Sequence, residues 1–194
     1  MIEQPDIERR LAFVKRAERL KDTLRSGYTA GGRVESVADH TWRLTLLIIT
    51  FADLMPGVDL LRLLRICILH DLGEAIDGDI PAPSQVGVAS KSEKERADFE
   101  SLLEGLPEPL RADFSSLWDD YEYVQSDEAR IAQAFDKIET IVQHNQGRNP
   151  SDFDFSFNLD YGRKYTDAVR LSAAIRTLVD KETRANSESS RERS

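Results

Sequence analysis

Apolar residues recur at three- and four-residue intervals along most of the chain, and no stretch alternates with the two-residue period of a half-buried strand. The spacing predicts a first helix over about 6–25, with Leu11, Val14, Leu20 and Leu24 as its apolar side. A loop with glycines, "SGYTAGGRV", follows. Ser36 with Asp39 three residues on forms a capping-box pattern, so a second helix begins near Ser36 and ends at Pro56 and Gly57. "VDLLRLLRICILHD" is apolar on most faces and predicts a helix in the middle of a bundle. "GDIPAPSQVGVAS" is a loop stiffened by Pro81 and Pro83. Three helices follow in "SEKERADFESLLEGL", "PEPLRADFSSLWDDYEYV" and "DEARIAQAFDKIETIVQHN". An aromatic loop, "GRNPSDFDFSFN", leads to a last helix at about 160–182. Residues 183–194 are polar and are expected to be a disordered tail. The sum is an all-α, single-domain helical bundle spanning residues 1–182.

Composition narrows the function. The chain has 194 residues, 40% hydrophobic and 31% charged, which suits one soluble domain with a substantial core. A net charge of −9 disfavours a nucleic acid polymer as partner, while a local arginine can still hold a small anion. The single cysteine, Cys67, lies in the apolar run; it excludes an internal disulfide and a cysteine-based zinc site and reads as core packing. No signal-like N-terminus and no membrane-length apolar run is present, so the expected location is cytoplasmic.

Chemistry concentrates at 64–83, "LRICILHDLGEAIDGDIPAP". The greasiest segment ends in His70 and Asp71, followed by Glu74, Asp77 and Asp79. A negative charge at a helix C-terminus sits at the unfavourable end of the dipole, which argues for a compensating cation. Imidazole and carboxylate together suit a divalent ion such as Mn, Fe, Co, Ni or Zn. Further ligands must come from elsewhere. His40, near the start of the second helix, and Asp136, on a packed helix beside Ala132 and Ala134, are the candidates. Histidines packed in the core, and an Asp136 paired with a neighbouring lysine or arginine, fit the same spacing. His144, eight residues after Asp136, lies about 12 Å further along the helix, too far for the same ion. It is expected near a helix C-terminus, where positive charge is favoured. Arg43 and Lys91 read as solvated surface charges, and Asp77 as a turn residue or a partner to a residue of the site.

The order His, His-Asp, Asp resembles the signature of HD-domain metal-dependent phosphohydrolases. "ESVADH" and "HDLGEAIDGDIPAP" make the resemblance more specific, to the YfbR-like 5'-deoxynucleotidase branch, over about residues 20–140. It implies an HD-type helical fold around one divalent cation (Co, Mn, Ni, Fe or Zn) ligated by His40, His70, Asp71 and Asp136. It implies hydrolysis of (deoxy)nucleoside 5'-monophosphates to nucleoside and phosphate, a small-molecule nucleotide as partner, no membrane, and a homodimer. Glu74 and Asp79 match positions that act in catalysis in the family. Arg25 matches an arginine that contacts the substrate phosphate, and Arg33 and Glu35 match positions of less defined role. Some relatives carry tryptophan directly after that arginine to enclose the nucleoside; here Ser26 stands there and Tyr28 two residues later, so Tyr28 is the candidate for nucleoside contact. Two alternatives stay open: an HD hydrolase of a triphosphate, cyclic dinucleotide or alarmone, and a non-catalytic nucleotide-binding HD module.

Overall fold

The computed structural model describes residues 3–79 and 88–192. Helices dominate: α1 (Gln4–Ala17), α2 (Val37–Thr50), α3 (Leu60–Leu69), α4 (Glu74–Asp77), α5 (Val88–Leu103), α6 (Glu108–Tyr123), α7 (Asp127–Gln146), α8 (Arg163–Thr166) and α9 (Arg170–Arg191). Short 3₁₀ turns occupy Glu18–Lys21, Ala52–Leu54 and Phe155–Leu159. Local chemistry sets the helix starts. The Ser36 hydroxyl accepts from the Asp39 N–H at 3.2 Å while the Asp39 carboxylate accepts from the Ser36 N–H at 2.9 Å, so the expected capping box forms. Asp59 caps α3 by accepting from the Arg62 N–H, and Ser126 caps α7 by accepting from the Ala129 N–H. Among the described residues, no helix is long and apolar enough to cross a membrane.

The structure departs from the sequence expectation at four places. The first helix stops at Ala17, and the chain then forms an antiparallel hairpin, β1 (Leu24–Tyr28) with β2 (Val34–Ser36). Two strands this short carry too few alternations to register as a pattern. Of the four residues expected on the apolar side of the first helix, only Leu20 is buried; Leu11, Val14 and Leu24 are exposed. Phe13 and Ala17 make the core contact instead, with the Phe13 ring 5.9 Å from that of Phe114. The helix at the centre is α7, not α3: Leu61 and Ile68 of α3 face outward, whereas α7 buries residues from Ala129 to His144 on several sides. Its alanines at 129, 132 and 134 let neighbours approach closely. Finally, α9 runs through the expected disordered tail to Arg191. Thr183 donates to the Asn145 side chain and Asn186 to the Asn145 backbone carbonyl, so tertiary contacts extend a segment whose composition reads as polar.

The hairpin packs across the C-terminal end of α7. The Arg148 N–H donates to the Thr29 carbonyl, and Gln143 Nε2 donates to the Tyr28 carbonyl. A Cβ at Gly147 would lie 2.2 Å from the Tyr28 oxygen, so only glycine fits at the crossing. Gly147→Ala should therefore force the hairpin away, lowering stability by about 1–3 kcal/mol and Tm by several degrees. A calorimetric scan showing an unchanged Tm would contradict this packing.

Candidate active site and metal centre

α7 supplies one wall of the site. Asp136, Glu139, Thr140, Gln143 and His144 recur at helical spacing along its buried side. The first turn of α2 brings His40 against it, the end of α3 brings His70 and Asp71, and β1 brings Arg25. His40 Nε2 lies 3.1 Å from Asp136 Oδ1 and 3.8 Å from Asp71 Oδ2. His70 Nε2 lies 3.1 Å from the same Asp71 oxygen.

Hydrogen bonding on the far side of each ring decides what the near nitrogens can do. His40 Nδ1 is bound to the Glu139 carboxylate, and His70 Nδ1 to the Cys67 carbonyl at 2.8 Å. With Nδ1–H donating in both rings, both Nε2 atoms present lone pairs toward the carboxylates. Both are buried and neither makes an aligned hydrogen bond. Unpaired buried acceptors facing carboxylates require a positive charge between them. Burial and the Arg25 charge oppose protonation of His40, yet Glu139 and Asp136 outweigh them and raise its pKa to about 10. A divalent cation meets the same demand, and His40, His70 and Asp71 offer ligand atoms close enough to share one. Asp136 divides its two oxygens. Oδ2 accepts from Lys137 Nζ at 2.6 Å and from the Tyr121 hydroxyl at 2.9 Å, while Oδ1 faces His40. Asp136 therefore has the lysine partner that its sequence context allowed, and its other oxygen faces His40.

A cavity of about 570 Å³ opens over this cluster, lined there by Arg25, His70, Asp71, Glu74, Asp79 and Asp136. Arg25 is largely buried. Its guanidinium donates to Thr140 Oγ1 at 3.1 Å and lies 3.3 Å from Glu35 Oε2 and 3.8 Å from Asp71 Oδ2. Burial opposes its charge, but Asp71, Asp136 and Asp79 raise its pKa, so it stays cationic. Glu35, by burial and the nearby Glu139 and against the pull of Arg25, is pushed up to about 7. Glu74 Oε2 is buried without a hydrogen-bond partner. Burial, then Asp71 and Asp79, push its pKa up to about 10, so it holds a proton when no cation is near. Residues 80–87, which include the two prolines expected to brace Asp79, lie outside the described residues, as does the side chain of Lys91.

Other expectations change. Tyr28 does not line the cavity; it sits where the hairpin meets α7, and Ser26 takes a place in the wall. Arg43 is not a free surface charge, because its Nε donates to Glu139 Oε1 at 2.6 Å. His144 lies in the last turn of α7 but is not the expected helix-end cation. Its ring is buried against Asn158 Oδ1 at 2.9 Å, and burial lowers its pKa. Asp77 pairs with Lys94 at 2.7 Å. Sequence reasoning missed Glu139 and Lys137. Glu139 follows Asp136 at the i+3 spacing that places both on one face, and Lys137 is Asp136's immediate neighbour.

Two imidazoles and two carboxylates from three helical segments stand beside a buried arginine, a set able to hold a divalent cation next to an anion. The chain belongs to the HD-domain family, whose model matches residues 17–176. It is 30% identical over 172 residues to the 5'-deoxynucleotidase HDDC2 of Xenopus laevis, covering 85% of each chain. It is 31% identical over 138 residues to the human 5'-deoxynucleotidase HDDC2, covering 70% of this chain and 67% of that one. The crystal structure of a predicted metal-dependent phosphohydrolase from Magnetospirillum magnetotacticum MS-1 superposes with a TM-score of 0.81 at 26% identity, over 96% of this chain and 98% of that one.

The Glu139 contact orients His40. Glu139→Gln should weaken divalent-metal affinity by about 10–100-fold, read by isothermal titration of metal-stripped protein. Equal affinity in the variant and the parent would show that Glu139 leaves His40 unaffected.

Proposed function

We propose that this protein hydrolyses (deoxy)nucleoside 5'-monophosphates to nucleoside and inorganic phosphate. The observation that carries this is the pair of unpartnered imidazole nitrogens facing Asp71 and Asp136, with His70, Asp71 and Asp136 lining a cavity that also holds Arg25 and Glu74 and His40 buried behind them. The 5'-deoxynucleotidase relatives from Xenopus laevis and human support it. His40, His70, Asp71 and Asp136 would hold one divalent cation, drawn from Co, Mn, Ni, Fe and Zn. A bound cation supplies charge neutralisation at phosphate and a more acidic water.

The chain's own residues do the rest. Arg25 presents its N–H groups to the non-bridging phosphate oxygens, held in place by Glu35 and Thr140. Lys137, half-buried at the cavity wall, adds a second positive charge. Water attacks phosphorus, the bond to the 5'-oxygen breaks, and that oxygen ends with a proton. Glu74 and Asp79, on the same wall, serve the two proton transfers.

The test is a matrix of nucleoside mono- and triphosphates against the five metals. Phosphate release from 5'-monophosphates is expected, abolished by a chelator and by Asp71→Ala, with Glu74→Gln slowed about 10²–10⁴-fold. Monophosphates left intact under every metal would refute the proposal, and faster release from triphosphates would favour the alternative HD chemistry.

We also propose that the protein is a homodimer. Trp42, Leu46 and Ile49 form an exposed i, i+4, i+7 stripe on α2, and Leu61 and Ile68 lie exposed on α3, which packs beside it. Light scattering should give twice the chain mass, with Trp42→Glu shifting it to monomer; a monomeric parent protein at micromolar concentration would end the idea.

A further inference from the structure

The cavity has a second end that the hydrolytic chemistry does not use. Phe153, Phe157, Tyr161 and Tyr165, from the segment between α7 and α9, line it together with His144. Aromatic residues of this density usually fill a core, yet here Phe157 is exposed and the other three are only half-buried. The Phe157 and Tyr161 rings pack as a tilted pair, 5.4 Å between centroids and 31° between planes. The His144 ring closes edge-on against Phe153, 5.0 Å between centroids.

The segment that carries these rings is held with unusual firmness. Arg176, 1% exposed, donates from Nη2 to the carbonyls of Asn158 and Leu159 at 2.6 and 3.0 Å, and from Nη1 to that of Tyr161 at 2.7 Å. Its Nε is anchored by Asp180 at 2.5 Å, and Asp180 also accepts from Arg163 at 2.6 Å. A buried guanidinium is costly unless its donors are satisfied, and here they are satisfied largely by the backbone beneath the rings. Gly162, at φ +68°, lets that backbone lie directly on Lys137; a Cβ there would sit 2.7 Å from the Lys137 stem. Lys137 then bridges the two ends, its Nζ 2.6 Å from Asp136 Oδ2 and 5.7 Å from the Tyr161 and Tyr165 ring centroids. Lys137 therefore ties the Tyr161 and Tyr165 rings directly to Asp136.

We propose that Phe157 and Tyr161 form the platform on which the substrate's nucleobase stacks. The proposal rests on the nucleotidase assignment for the identity of the ligand. Stacking reads the π-face that every base has, so the platform accepts purines and pyrimidines alike and favours the larger purine face. Arg176 is a positioning residue for it.

The test compares deoxyadenosine 5'-monophosphate with 2-deoxyribose 5-phosphate, which carries the same phosphomonoester and no base. In the parent protein the nucleotide should have the lower KM. Phe157→Leu and Tyr161→Leu should raise the nucleotide KM on the order of tenfold, the scale of one lost base–ring stack, with a much smaller change for the baseless substrate. Tyr161→Phe should restore the nucleotide KM. Binding of deoxyadenosine, which has no phosphate, to chelator-treated protein should follow the same order by protein fluorescence. Equal KM values for the two substrates in the parent protein, or equal loss on both in the leucine variants, would overturn the platform. A parent protein that binds deoxyadenosine through these rings yet hydrolyses no nucleotide would overturn the assigned activity and leave the platform standing.

Discussion

The structure is organised around a shortage of positive charge in its interior. Glu35, Asp71, Glu74, Asp136 and Glu139 converge from four segments, and the cations set among them are Arg25, Arg43 and Lys137. Buried carboxylates without partners are expensive. Without an ion, the deficit is met by protons: His40 and Glu74 are both pushed up to about 10. Holding like charges together costs stability, and such an arrangement suits a divalent cation.

Holding such a cluster requires rigid presentation. α7 is the frame, because its alanines admit close neighbours while its polar residues recur on the cavity side. The capping box at Ser36 sets where α2 begins and hence where His40 enters the core. The α3 C-terminus places Asp71 where the helix dipole disfavours it; burial also opposes its charge, and the positive charge of His70 and His40, when they are protonated, outweighs burial and holds its carboxyl below the usual range. Glu139 and the Cys67 carbonyl then turn the two imidazoles so that both Nε2 atoms face inward.

The two ends of the cavity are built by different means. The charged end draws on four elements that meet only in the folded chain. The phenylalanines and tyrosines of the aromatic end come from one continuous stretch of sequence, held from behind by Arg176.

Periodicity and capping chemistry are local, so the helical class, the start of α2 and the paired residues at 70 and 71 could be read along the chain. The order His40, His70-Asp71, Asp136 was legible as well, because family motifs keep residue type and sequence order. What the sequence could not decide depends on contacts between distant segments. Short strands have too little period to betray the hairpin that carries Arg25. Glu139 and Lys137 look like ordinary helix-surface charges until His40 and the tyrosines pack against them. A polar tail becomes helix only because Asn145 receives Thr183 and Asn186. Which oxygen of Asp136 meets the lysine and which meets the imidazole is fixed by three-dimensional approach alone, and no linear pattern encodes it.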